Sequence, residues 1–357
     1  MITRGVDSIK TAKRLLWRAK LHLECFGLRP SLRLAWGHLR LERCTGFPPR
    51  GPSVTTALVT FSAFPELTEL WLEFAAACTD PHRTEIFVLD SSGRLRVRVA
   101  RPVQIVPCWN VEHGRKIDLF VTKAGHERVW LCDDDVFLLS PSVEQRLERA
   151  LEAPDAWAAS LMWREQKLTP DGPHAMGSSC LMFKREVPLR HGWSFRVRAT
   201  QDSYVNWGRG WYDTCDYAHA QSLSAGYRVV LLERDESLAP FIGVTAMYLK
   251  LRTEIRDANG FWNKFRSYKG DTRKARLFLT GAFSLLRVCQ LYERFFSRPV
   301  RSPLPFDEEQ ILAAATELAR WGGSRLGSHA TEFLRPYEQS YEAALRAIEG
   351  GLIRPSR

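Results

Sequence analysis

The chain has 357 residues, 45% of them hydrophobic and 25% charged, with a formal net charge of +11. That balance belongs to a globular chain long enough to bury a substantial core as one large domain or two ordinary ones. Its eight cysteines are scattered singly, with no C-x-x-C pair and no zinc-like Cys/His spacing, which argues against a disulfide framework and for a reducing compartment.

The placement of the charge says more than its size. Residues 1–53 carry 11 Lys and Arg against 3 Asp and Glu, and residues 250–301 carry 13 against 4, so the remainder of the chain is net acidic. The two basic flanks imply an anionic partner, by charge either membrane headgroups or nucleic acid. An acidic body argues against nucleic acid on its own face.

From Ile9 to Leu41, Arg and Lys alternate with Leu15, Leu16, Trp17, Leu21, Leu23, Phe26, Leu32, Leu34, Trp36 and Leu39. The spacing predicts two basic amphipathic helices separated near Gly27–Pro30, fit either for a bilayer interface or for packing on the body as an arm. Gly46–Ser53 then reads as a linker. No continuous apolar signal-peptide core and no run of about 18 uncharged apolar residues is present, so neither secretion nor a spanning helix is expected.

The body opens with an apolar strand over Thr55–Thr60, a loop, and a helix over Leu67–Cys78. Glu85–Leu89 is a second strand, ending in Asp90 and the turn residues Ser91, Ser92 and Gly93. Val103–Val106 is a third, and Val111–Lys123 a helix leading to Val129–Cys132. This last strand delivers three consecutive aspartates, Asp133, Asp134 and Asp135, before the chain turns apolar again. In an open α/β sheet that end of a strand is where ligands bind. In extended geometry the first and third aspartates point the same way, so Asp133 and Asp135 could share one Mg²⁺ or Mn²⁺ completed by phosphate oxygens. A solvated acidic turn is the plain alternative.

Beyond Pro141 come a helix (Val143–Leu151), a strand (Trp157–Met162), a loop (Leu168–Pro173) and the run Met176–Glu186, with Gly177, Ser178 and Ser179 ahead of an apolar strand. A tight turn explains these small residues, as does close approach of a ligand to the backbone. Asp213 or Thr214 can cap a helix over Asp216–Ala225 that Gly226 ends, with a strand at Tyr227–Leu232. Asp202 and the aromatic residues Trp207, Trp211 and Tyr212 lie between these motifs; His219, one helical turn beyond Asp216, reads chiefly as a core or surface histidine. Ala275–Phe296, apolar around much of its circumference but interrupted by Arg287, suits a docked or interfacial helix, and Phe306–Gly350 two amphipathic helices.

The order of a first strand and helix, a strand ending in Asp90, a His113-Gly114 turn before a helix, and a strand ending in Asp133-x-Asp135 resembles the nucleotide-binding half of GT-A glycosyltransferases, family 2 being the nearest type. The resemblance implies an α/β, Rossmann-like, mixed and mostly parallel sheet flanked by basic amphipathic helices. Together with the charge and linker pattern it gives an expected division into a basic amphipathic helical arm and linker (1–53), a catalytic domain (54–250) and a helical C-terminal region (251–357). It implies a nucleoside-diphosphate sugar donor touched by Phe61, Asp90, His113, Lys116, Asp133 and Asp134, with Asp133 and Asp135 as ligands of Mn²⁺ or Mg²⁺. Gly177, Ser178 and Ser179 would face the acceptor. Asp216 matches the catalytic base of inverting members, with Asp213 next. The family's Glu-Asp doublet is here Cys215-Asp216, and its Q-x-x-R-W signature is absent. The expected acceptor is a hydroxyl of a glycan or lipid-linked sugar, the expected location cytoplasmic and peripheral to an anionic membrane, with no nucleic-acid partner. Two rivals stay open. A nucleotidyl- or phosphotransferase should show a Gly-rich phosphate loop, which Thr60–Pro65 lacks; a non-enzymatic membrane-binding protein would use only the flanks.

Overall fold

The structure is a computed structural model and describes residues 23, 27–62, 64–168, 172–203, 205–233, 258–300, 306–321 and 331–353. The first of the two expected arm helices lies outside the described residues. The second is α1 (Leu28–Arg43). It is followed by β1 (Thr56–Ser62), α2 (Pro65–Cys78), β2 (Thr84–Asp90), β3 (Val103–Pro107), α3 (His113–Lys123), β4 (Arg128–Cys132), α4 (Ser142–Ala150), β5 (Ala156–Ser160), β6 (Cys180–Lys184), α5 (Asp216–Ser224) and β7 (Arg228–Leu231). Helices α6 (Ala258–Ser267), α7 (Thr272–Phe296), α8 (Glu308–Trp321) and α9 (Arg335–Glu349) complete the chain.

Seven strands form one sheet in the order β7-β5-β6-β4-β1-β2-β3. All neighbouring pairs are parallel except those made by β6, which runs antiparallel to both β4 and β5. The expected mixed, mostly parallel α/β sheet is therefore present. Every residue of β1 and β2 is buried, as continuous apolar strands covered on both faces require. Their register aligns Phe61 with Leu89 and Ser62 with Asp90, so the two strands end level and on the side where β4 delivers its aspartates.

Each face has its own core. On one, α2 and α7 cover the sheet through Trp71, Phe74, Trp130, Phe137, Phe278 and Phe283, and this cluster runs on into α8 and α9. On the other, α1 and α3 pack through Leu41, Phe87, Ile117, Phe120 and Phe183. Each such side chain taken out of water contributes about 1.5–3 kcal/mol. Helix α7 is thus docked. Its apolar side is spent on the core, and Arg287 is bonded at 2.6 Å to Glu308 of α8 and at 2.8 Å to Glu338 of α9. Among the described residues of this flank, most of the apolar side chains of α7 are buried in the core, with Leu277 left exposed.

Candidate functional site

The ends of β1, β2 and β4 bring four of the expected residues together around α3. Helix α3 starts at His113 because the Glu112 carboxylate accepts the Gly114 amide at 3.1 Å, an N-cap that satisfies one of the free donors of the first turn. The His113 ring packs edge-on to Phe61 with centroids 4.6 Å apart, and its Nε2 lies 3.7 Å from Asp133 Oδ1. One turn on, Lys116 is buried, with Nζ 5.4 Å from the centre of the Phe61 ring and 3.5 Å from Asn110 Oδ1. Burial and the charge of Lys116 hold His113 neutral, its pKa lowered to about 3. Burial raises the Asp133 pKa, opposed by a bond from the Ser179 side chain and by the Lys116 charge.

The three aspartates diverge in their surroundings. The Asp133 amide bonds the Ser179 carbonyl at 3.0 Å and its own carbonyl accepts from Val136, closing a tight turn. Asp134 is buried against α2, where Thr68 Oγ1 donates to its Oδ2 at 2.7 Å. Asp135 is 4% exposed, and its charge adds to the effect of burial in raising the pKa of the Tyr341 phenol on α9. Asp90 forms an Asx turn: its Oδ1 accepts from both the amide and the hydroxyl of Ser92, at 2.8 and 2.6 Å.

The opposite wall is built by the chain between β6 and α5. Asp118 of α3 anchors it, accepting from Ser194 Oγ, Phe195 N and Arg196 Nε at 2.8–3.0 Å. The Phe195 carbonyl in turn accepts the Cys215 amide at 3.0 Å, which fixes the start of α5 over α3. Cys215 itself adopts φ +73°, a left-handed conformation costly for a residue with a Cβ. Immediately after it, Asp216 is completely buried. Its Oδ2 accepts the Asp213 amide at 3.1 Å, and its Oδ1 is bonded by Arg164, whose other terminal nitrogen binds Asp213 Oδ2 at 2.7 Å. Asp213 remains 44% exposed. Burial raises the Asp216 pKa to about 6, against the lowering effect of Arg164 and with a further push from Asp213. The two walls are in electrostatic reach of each other, since Asp213 acts on His113 and Asp133 on Cys215.

On the acceptor-side run, Gly177 has φ +64°, and a Cβ there would meet the Met162 carbonyl oxygen at 2.2 Å. The close approach this glycine permits is therefore to the chain's own backbone. Ser178 and Ser179 are half-buried beside it. His219 is a core histidine: its Nδ1 accepts the Met176 amide at 3.2 Å, burial holds it neutral with its pKa lowered to about 3, and it steadies the Gly177 turn. Arg164, absent from the expected site residues, opens a short antiparallel arm, Arg164–Lys167 with His174–Ala175. It lies 49 and 52 residues from its two carboxylate partners, and no local pattern announces it.

Among the described residues no three or more His, Cys, Asp or Glu side chains converge to hold a metal ion. The extended geometry that would point Asp133 and Asp135 the same way is not present, because residues 133–136 close a turn; each still offers only oxygen, the donor type that Mg²⁺ and Mn²⁺ take, so a divalent ion fits here only with phosphate oxygens completing its shell.

No family model matches the sequence, and no curated protein matches it. Similarity does extend to solved structures. A mannosyltransferase from Pyrobaculum calidifontis in complex with GDP-Man and Mn²⁺ is 16% identical, covering 93% of this chain and 97% of its own, with a TM-score of 0.38. S. aureus TarS 1–349 is 9% identical over 84% of this chain and 92% of its own, TM-score 0.34. The glycosyltransferase GlyE of Streptococcus pneumoniae TIGR4 is 10% identical over 85% of this chain and 66% of its own, TM-score 0.31.

Proposed function

We propose that the chain is a glycosyltransferase of GT-A type that moves a sugar from a nucleoside-diphosphate donor to an acceptor hydroxyl with inversion. The observation that carries this reading is the meeting, at the carboxyl end of one sheet, of a cationic and aromatic wall (Phe61, His113, Lys116) with Asp133, opposite a second acidic pair clamped by Arg164. A nucleoside diphosphate needs both an anion-compatible wall and a flat apolar contact, and an acceptor hydroxyl needs a carboxylate.

In this reading Phe61, Asp90 and His113 line the nucleoside, Lys116 faces the phosphates, and Asp133 and Asp135 hold Mn²⁺ or Mg²⁺ together with them. The ion, when bound, supplies charge neutralisation of the departing diphosphate. Ser178 and Ser179 border the acceptor side. Asp216 is the base, with a pKa close enough to neutrality to accept a proton and still be ionised at pH 7. Both its oxygens are engaged in the resting geometry, so accepting that proton requires Arg164 to give up its bond; Asp213, the exposed member of the pair, is the alternative base. The acceptor is a glycan or lipid-linked sugar.

The test is a panel of nucleotide sugars incubated with the full chain with and without Mn²⁺. Metal-dependent release of nucleoside diphosphate from one donor is expected. Binding of no nucleotide sugar or nucleoside diphosphate in either condition would overturn the reading.

A further inference from the structure

Helix α1 is docked by one side only. Ser31, Leu34 and Leu41 are buried, the His38 Nδ1 lies 3.5 Å from Cys108 Sγ, and Gly37 meets Pro107 so closely that a Cβ there would stand 2.4 Å from the proline ring. The helix therefore covers the β3 edge of the sheet and is held in a fixed orientation. On the side turned away, Leu28, Leu32, Trp36 and Leu39 are 64%, 60%, 62% and 45% exposed. Their spacing of four, four and three residues places them in a single stripe. Four large apolar side chains aligned on a surface helix are far from the scattered exposed residues any protein carries.

The charges around the stripe choose its occupant. Arg29, Arg33 and Arg40 follow one edge of it, and Arg43 lies at its far end. The guanidinium of Arg40 sits 5.5 Å over the Trp36 ring. The only acid in the helix, Glu42, pairs inward with His38 at 3.5 Å and Arg115 at 3.4 Å. An anionic bilayer surface is the partner that takes aligned Leu and Trp below the headgroups and Arg among them. A nucleic acid would use the arginines and leave the leucines in water. No helix among the described residues is long and apolar enough to cross a membrane, so an interfacial seat is the geometry open to α1.

We infer that the Leu28, Leu32, Trp36, Leu39 face of α1, edged by Arg29, Arg33 and Arg40, is a docking surface for anionic lipid bilayers. Gly93, three residues past Asp90, lies against Pro30 at the start of this helix, where an added Cβ would be 3.0 Å from the proline. Pro30 lies on the docked side of the helix, so in this seat α1 stands between the Asp90 turn and the bilayer. The inference does not depend on the transfer reaction and survives if the chain proves to have another activity.

The experiment is co-sedimentation of the full chain with vesicles of phosphatidylcholine alone and with 30% phosphatidylglycerol, across a salt series. Binding to the anionic vesicles at low salt, fading as salt rises, is expected. The doubly substituted Leu32→Glu, Trp36→Glu chain should lose at least tenfold in partition coefficient, and Arg29→Glu, Arg33→Glu a comparable amount, with melting temperatures unchanged because these side chains touch solvent. Wild-type binding that the Leu32→Glu, Trp36→Glu variant retains would overturn the assignment. So would an absence of binding combined with wild-type dimers that this variant dissociates, since the face would then belong to a second copy.

Discussion

Gly114, at the start of α3, lies under the Phe195 carbonyl so closely that a Cβ would stand 2.3 Å from its oxygen and 2.6 Å from Arg196 Cα. Through this contact the nucleotide-side helix and the carboxylate-bearing wall are built as one piece, because the same Phe195 carbonyl accepts the Cys215 amide just ahead of Asp216.

The consequence can be measured with Gly114→Ala. The atoms met are backbone atoms that cannot rotate away, so the overpacking should cost about 1–3 kcal/mol and lower the melting temperature by several degrees. Displacement of the wall should reduce turnover more than donor affinity. A variant with wild-type melting temperature and turnover would mean that the 194–196 segment yields without disturbing Asp213 and Asp216.

A second prediction concerns pH and stability. The folded-state pKa of Asp216, about 6, lies above its ordinary value of 3.8. The folded state therefore binds this proton more tightly than the unfolded chain, and the stability that goes with it is present below pH 4 and lost as pH rises through 6. The loss is up to about 3 kcal/mol. Asp216→Asn should remove that slope, so that the wild type loses stability relative to the variant as pH rises from 4 through 6, and the two curves run parallel above about pH 7. Denaturant titrations at pH 4, 5, 6 and 7.5 read this directly; parallel curves throughout would mean that Asp216 titrates normally.

The same carboxylate should set the acid limb of catalysis. If Asp216 is the base, kcat/KM rises with pH through about 6, and Asp216→Asn lowers turnover by about 10²-fold or more with donor binding kept. Arg164→Gln removes the charge that holds the pKa down, so its acid limb should move to higher pH. Should Asp213→Asn abolish the limb and Asp216→Asn leave it, the exposed aspartate is the base and Asp216 is its support.

Strands and helices of the body were legible because their signals are local: uninterrupted apolar runs for β1, β2 and β4, and the glycine that ends α5; the expected cap by Asp213 or Thr214 is not made, since Cys215 holds the N-cap position with no side-chain bond to the first turn. The grouping of Phe61, His113, Lys116 and Asp133 was legible too, since all four occupy the ends of elements whose order defines an open parallel sheet. What escaped was contact between distant segments. Nothing in the polar stretch after Met162 marks Arg164 as the partner of residues some fifty positions later. For α7 the sequence left a docked and an interfacial helix open; the choice rests on packing and on the pairing of Arg287 with Glu308 and Glu338, which exist only in three dimensions. Gly177 was visible as a turn residue, but not that the backbone it admits is the chain's own.

The last prediction separates the three aspartates. Asp134 is tied to Thr68 of α2, while Asp133 stands beside His113 and Ser179, and the Asp135 charge is felt by Tyr341. Removing one negative oxygen donor from a site that offers only a pair should cripple metal binding, whereas Asn at 134 can still accept from the Thr68 hydroxyl. Asp135→Asn and Asp133→Asn should each weaken Mn²⁺-dependent binding of a nucleoside diphosphate by at least tenfold, and Asp134→Asn should change it little while shifting the melting temperature slightly. Isothermal titration with the diphosphate, run with Mn²⁺ and with EDTA, makes the comparison. Equal losses at all three positions would mean that the acidic turn acts only as a block of charge, and loss at Asp134 alone would move the ion to the α2 side of the turn.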